Sequence, residues 1–330
     1  MFTPVHTSLG ALLLFEGSSG LLFHNGAVFG ISSLVSGCVF NPNRDNVPIV
    51  AGLASSVIPV WLLTPSLLPN YPAPPHSLAS AAATFGVGFL LGWGTKNGRG
   101  CTSGHMLCGL SRLSPRSLIA TALFFTTALL TANFAARGSN IPSCGSLPCY
   151  TPVYPSPSEW LFMTGALLLS SITNFIVVPR ALKRSEESRT IFSYLAGLEF
   201  GLGLWISGMA DPAKVLRFFA FLTDPTRFDP SLALIILFGI GPSLAAYLSR
   251  KPGQVVEKEK PRSKPTLGEK WRLPTATVAD IDWRFIAGAV AFGLAWGLKG
   301  VCPGPAILRS VVQPTWGLVT MAGYTLGNLF

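Results

Sequence analysis

Long apolar runs alternate along this chain with short polar stretches rich in glycine, proline and serine. Nine runs are about the length of a bilayer-crossing helix, at 7–24, 47–64, 77–94, 115–134, 158–178, 191–207, 230–248, 283–298 and 314–330. A helix needs about 20 apolar residues to cross about 30 Å of hydrocarbon. The plainest is PSLALIILFGIGPSLAAYL, 230–248, which carries no charge. The first run follows no basic segment, so it reads as a span and not as a cleaved signal. Between spans lie four stretches too brief to cross: 26–38, 102–111, 212–222 and 304–311. Irregular backbone at membrane depth is tolerated where protein buries it or where it lines a cavity. The pattern therefore predicts an all-α polytopic membrane protein of about nine spans, with four re-entrant half-helices.

Composition agrees. Of 330 residues 49% are hydrophobic and only 12% charged, against about 25% charged in soluble domains. The net charge of +10 would suit nucleic acid, but its placement argues for topology instead. Eighteen of the 24 Lys and Arg fall in connections on one face, eight of them in 249–282. The opposite face carries Arg137, Lys214, Arg217, Arg227, Lys299 and Arg309. Such asymmetry predicts an outside N-terminus and a cytoplasmic C-terminus, in a plasma membrane. Segment 249–282, charged and proline-bearing, reads as a mostly disordered cytoplasmic linker.

The chain also repeats itself. GAVFGISSLVSG (26–37) resembles GLEFGLGLWISG (197–208), and FLLGWGTK (89–96) resembles FGLAWGLK (292–299). The second match runs on into a glycine–cysteine turn in each half. Four spans per half with one between them force the halves into opposite orientations, an inverted repeat of the kind transporters use. The expected division is residues 1–134 as the first repeat and 135–190 as an outward loop, connecting span and basic inner loop. Residues 191–330 form the second repeat.

Candidate chemistry gathers at NGRGCTSGHMLCG, 97–109. Gly100 and Gly104 permit a tight turn, placing Cys101 at a helix start, where a thiol gains acidity. Cys101, His105 and Cys108 form C-x3-H-x2-C, but structural zinc wants four ligands and no fourth is near. No metal or other cofactor is expected. His105 also suits a hydrogen-bonded role in packing. Arg99 beside the turn would attract an anion. Cys38, Cys101, Cys108 and Cys302 all lie near glycines at the ends of apolar segments. Cys144 and Cys149 share an outward loop where a disulfide can form. Glu16 and Glu199 lie inside spans, where a carboxylate is costly, and suit either proton coupling or a structural acid. Asp211-Pro212 reads as an N-cap followed by proline at the first helical position.

NGRGCTSGHMLCGLSRLSPRS (97–117) resembles the signature of the YeeE/YedE sulfur-transport family. ISGMADPAKVLRFF (206–219), FDPSLAL (228–234) and KGVCPGPAI (299–307) resemble half-length companions of that family, so the chain looks like two halves fused. The resemblance implies an hourglass-like fold and a row of cysteines passing a sulfur-bearing anion such as thiosulfate inward by S–H···S contacts. By motif it carries over to Cys101 and Cys302, with Cys108 in the same signature. The family's first cysteine has no match in NGAVFGISS, and Cys38 follows several residues later, with Met209 in the corresponding place of the second half. A membrane-embedded sulfurtransferase working through a cysteine persulfide, or a channel for another small anion, are the competing readings. The inner linker could engage a cytoplasmic sulfur-accepting protein or, equally, anionic lipid.

Overall fold

A computed structural model describes residues 1–138, 140–253, 255–256, 260–261 and 264–330. A helix stands at every expected span. The first repeat holds α1 (Pro4–Gly20, continued by a π-helical turn Leu21–Asn25), α2 (Ile31–Phe40), α3 (Val47–Ser55) with α4 (Val57–Leu63), α5 (Leu78–Asn97) and α6 (Pro115–Phe134). A π-helical turn, Ser103–Gly109, sits between α5 and α6. The connecting helix is α7 (Pro157–Ile172), running through a π-turn into α8 (Val178–Ala181). The second repeat holds α9 (Glu186–Ser207), α10 (Pro212–Phe218), a mixed 3-10 and π segment from Pro230 leading into α11 (Gly241–Arg250), α12 (Trp283–Lys299), α13 (Pro303–Val312) and α14 (Pro314–Gly327). Among the described residues five helical segments, 78–97, 115–134, 157–181, 186–207 and 230–250, are long and apolar enough by themselves to cross a bilayer. α12 and α13 bend by 41° across their break. Extended pairing among the described residues is limited to Val255–Val256 with Lys260–Pro261 and two isolated bridges, Phe2 with Pro152 and Ala27 with Arg272.

Local sequence sets the boundaries. Ser77, Ser114, Ser156, Ser185 and Asp282 each cap a helix through the side chain, and proline follows the cap at 115 and 157. These caps satisfy the orphan N–H groups that every helix start presents. Asp211 Oδ1 accepts from Ala213 N–H at 2.9 Å, with Pro212 at the first helical position of α10. Gly26, Gly208 and Gly300 end α1, α9 and α12 in the left-handed conformation.

Packing reveals the repeat. α1 lies against α9, and a Cβ on Gly10 would strike the backbone of Ser207, while one on Gly17 would strike Ala196 and Phe200. Rising numbers on one helix thus meet falling numbers on the other, so these corresponding helices are antiparallel. α5 and α12 are paired likewise, Gly94 meeting Phe292 and Gly98 meeting Ala289. The remaining contacts come in matched sets: α5 packs parallel to α14 as α12 packs parallel to α6. The two repeats run in opposite directions. Small residues let the backbones approach, as membrane helix pairs require.

Two expectations need correction. The match of 26–37 with 197–208 joins unlike elements, because 197–208 ends a span while 26–37 covers a cap and most of α2. The physical counterpart of Gly26 is Gly208, the left-handed cap of the paired helix. The linker, predicted as mostly disordered, is packed at 264–272. Thr266, Leu267 and Arg272 N–H groups donate to the carbonyls of Phe23, His24 and Gly26 at 3.0, 2.8 and 2.7 Å. Those are free carbonyls at the end of α1, so the linker supplies the partners a helix C-terminus lacks. Leu267 is buried there. Residues 254, 257–259, 262 and 263 of the linker, and the side chain of Arg137, lie outside the described residues.

Candidate functional site

The half-helix turns meet where the repeats face each other. α5 ends in a Schellman-like turn, with Gly100 N–H donating to Thr95 O at 2.9 Å, and Arg99 takes the left-handed position at φ 54°. α12 ends with Gly300 at φ 64° in the matching place. Two residues on, Cys101 opens the 102–111 segment and Cys302 is the N-cap of α13. Arginine is a costly occupant of a position where the other repeat uses glycine, which directs attention to its guanidinium.

Cys101 and Cys302 line one central cavity of about 30 Å³. Met106, Met209, Thr102 and Ser103 add further polar or polarisable side chains, and Leu14, Ile31, Phe200 and Leu204 line its apolar wall. Both thiols are buried, Cys101 at 1% and Cys302 at 6% exposure. The Cys101 sulfur lies 3.3 Å from Ser103 Oγ, which also accepts from the Ile31 N–H at the start of α2, at 3.0 Å. One hydroxyl therefore ties two half-helices to the thiol. The cavity has room for a water or two.

A vestibule opens on each side, labelled outer and inner after the orientation that the charge asymmetry predicts. The outer one, about 660 Å³, is lined by Lys299, Arg309 and Arg217, with Asp211, and reaches Val301 beside Cys302. Loop residues cover it: Tyr71 donates to Ala210 O at 3.1 Å, and Arg309 to Pro72 O at 3.0 Å while stacking on Trp316. The inner one, about 470 Å³, is lined by Arg99, Arg112, Arg116 and Arg272, with Asp45, and reaches Gly100 beside Cys101. Arg116 lies over the Phe285 ring at 4.9 Å, and its Nε and one Nη have no protein partner. Arg272 grips Asp45 through two bonds of 2.6 and 2.9 Å, and Arg189 adds a third at 2.8 Å. The Arg272 bonds hold the Asp45 carboxyl below the usual carboxylate range.

The other expected residues fall around this axis. Gly100 and Gly104 line the inner vestibule. Gly100 has φ 153°, and a Cβ there would meet the His105 ring. His105 Nε2 donates to Gly98 O at 3.0 Å, since a carbonyl only accepts, and its Nδ1 accepts from Ser117 Oγ at 3.1 Å. Both ring nitrogens thus brace the turn. The Cys108 thiol donates to Phe29 O at 3.5 Å, away from the central cavity. Cys38, at the far end of α2, points to Asn46 Oδ1 at 3.8 Å. Cys144 and Cys149 are joined in a disulfide, in the loop that brings Asn140 and Pro142 to the outer vestibule. Sequence reasoning missed Arg116, Arg272 and Asp45 as vestibule groups, because only the fold brings the linker to the Gly100 turn. Met209 is placed on the cavity by the Gly208 cap that precedes it, not by correspondence with Cys38.

Fold and site together define an integral membrane protein of the transporter class, with a thiol-lined constriction between two vestibules. A family model described as sulphur transport matches residues 62–130, and one described as a family of unknown function (DUF6691) matches 188–327. A probable transporter of Xylella fastidiosa strain Temecula1 is 37% identical over 131 residues, covering 38% of this chain and 90% of the relative. Another probable transporter, from strain 9a5c, is 41% identical over 112 residues, covering 34% of this chain and 68% of the relative. The chain belongs to the YeeE/YedE-type sulfur-transport family.

Proposed function

We propose that the protein imports a small sulfur-containing anion of the thiosulfate type, passing it between the thiols of Cys302 and Cys101. The observation that carries this reading is the shared cavity: two cysteines, each at the start of a half-helix from a different repeat, separate two basic vestibules. The anion is drawn to Lys299, Arg309 and Arg217, crosses the constriction, and leaves past Arg99, Arg112 and Arg116. A thiol is a weak donor and acceptor, suited to a terminal sulfur that must be passed on and not held. Half-helix starts add a favourable field for negative charge. Gly100 and Gly104 let backbone reach the path, and His105 holds the turn. Cys108 packs behind it, and Cys38 lies off the path. The N-terminus faces outside and the C-terminus the cytoplasm of a plasma-membrane-bound cell, as the basic residues of the inner connections support.

Uptake of 35S-thiosulfate into proteoliposomes tests the reading, with Cys101→Ala and Cys302→Ala checked for folding. Loss of uptake in both variants is the expected result. Full uptake by both would reduce the cysteines to packing, and sulfur left covalently on the protein would mark a sulfurtransferase.

A further inference from the structure

Two buried acids lie where α1 packs against α9. Glu16 and Glu199 are each 6% exposed, and they occupy one and the same place in the two repeats. The left-handed cap Gly26 comes ten residues after Glu16, and its counterpart Gly208 nine residues after Glu199. The π-turn Leu21–Asn25 accounts for the difference, since a π-bulge inserts one residue into a helix. The repeat thus places a carboxyl on both sides of its own pseudo-two-fold axis.

The connecting helix lies across the pair. Ser171 donates to Glu16 Oε1, and Asn174 Nδ2 donates to both oxygens of Glu199, at 3.1 and 3.0 Å. Glu16 Oε2 and Asn174 Oδ1 are buried acceptors that meet no donor. Neither acid pairs with Lys or Arg among the described residues. The titratable group next to them is His24 on α1, against the backbone of Asn174 and the Phe192 ring, and Arg250 stands beyond it, stacked on Phe23. From α11 comes Ser243, whose hydroxyl lies 3.4 Å from that of Ser19. α3 and α4 contain no titratable residue. Acceptors therefore outnumber donors in a site with no cation. Two carboxylates in such a place do not both ionise cheaply.

The acids border a surface groove on one side and the walls of the thiol cavity on the other. An apolar groove of about 790 Å³ runs along α4, α7 and α9 from Ser158 to Ser170, Thr173 and Glu199. On their other faces α1 and α9 carry Leu14, Phe200 and Leu204, which wall the thiol cavity. We propose that Glu16 and Glu199 form a proton-binding site that carries a proton inward together with the anion. The proton is taken up from water outside, held as an O–H of the pair, where Glu16 Oε2 lacks a hydrogen, and released to water inside. No covalent bond is made or broken beyond that O–H. Inward movement of the thiosulfate dianion is opposed by an inside-negative potential, and one accompanying proton offsets one of its two charges. An inverted repeat exchanges the roles of its halves when access alternates, so each acid serves in one arrangement. This inference rests on the transport reading above.

Two measurements test it. In proteoliposomes with the potential clamped, an acid-outside gradient should raise accumulation of 35S-thiosulfate by about tenfold per pH unit for one proton carried. Glu16→Gln and Glu199→Gln should lose that gradient dependence and keep exchange of labelled for unlabelled anion. Gradient-independent accumulation by wild type, or gradient dependence intact in both variants, overturns the proposal. The infrared spectrum of the reconstituted protein, taken without substrate, should show a protonated carboxylic acid band that both variants diminish. Absence of that band also overturns the proposal, whether or not thiosulfate is carried. A band together with no uptake of any kind by wild type would leave the proton site standing, overturn its coupling, and refute the transport reading itself.

Discussion

Cys101 and Cys302 line the same cavity from opposite repeats, yet their preceding residues face different vestibules: Gly100 the inner one and Val301 the outer one. Sidedness follows from that offset. Lys299→Cys should react with a membrane-impermeant thiol reagent from outside, and Arg99→Cys only from inside, since both native side chains are exposed. Pre-incubation with thiosulfate should slow labelling of both. Labelling of the two positions from one face would refute the two-vestibule arrangement and with it the inverted orientation.

Arg99 occupies a left-handed position that glycine fills in the other repeat. Arg99→Gly should therefore relieve backbone strain of about 1–2 kcal/mol and raise resistance to thermal unfolding. The same change removes a cation from the inner vestibule, so uptake should weaken although the protein is more stable. Stability and transport moving in opposite directions is the signature. A variant that loses stability would show that Arg99 makes contacts worth more than its strain.

The spans were legible because hydrocarbon imposes a length and forbids charge, and serine or aspartate caps with following prolines mark their starts. The half-helices were legible for the related reason that runs such as GRGCTSGH are too polar and short to cross. The correspondence of Glu16 with Glu199 was not, since a π-turn shifts the register by one residue and hides it from an ungapped comparison. The linker misled in the other direction. Its charge and proline suggested disorder, but Leu267 is apolar and Arg272 has a partner in Asp45, 227 positions away in sequence, where local reading has no reach.

That Asp45 pairing gives the inner vestibule a pH dependence. Arg272 hydrogen bonds depress the folded-state pKa of Asp45, so the pair contributes stability above the unfolded carboxyl value and loses it as pH falls through the lowered folded value. At neutral pH the contribution is fully present. Both side chains are more than a third exposed, so solvent screening holds it to about 1 kcal/mol or less. Asp45→Asn should increase proteolysis of residues 264–276 a few-fold at pH 7, and high salt should do the same to wild type. Equal protection of that segment in Asp45→Asn would show that the backbone bonds to Phe23, His24 and Gly26 suffice to hold the linker.

His105 separates a bracing role from a ligand role. Its ring spans Gly98 O and Ser117 Oγ, and a Cβ at Gly100 would strike that ring, so the imidazole fixes the turn that presents Cys101. His105→Ala leaves a buried carbonyl and hydroxyl without partners, at about 1–3 kcal/mol for each unsatisfied group. The expected outcome is a lower unfolding temperature and a lower maximal uptake rate, with half-saturation for thiosulfate little changed, because both ring nitrogens are already taken by Gly98 O and Ser117 Oγ. His105→Gln can restore one of the two bonds and should recover part of the stability. A large rise in half-saturation at unchanged stability would place the ring in contact with the transported anion and overturn the bracing role.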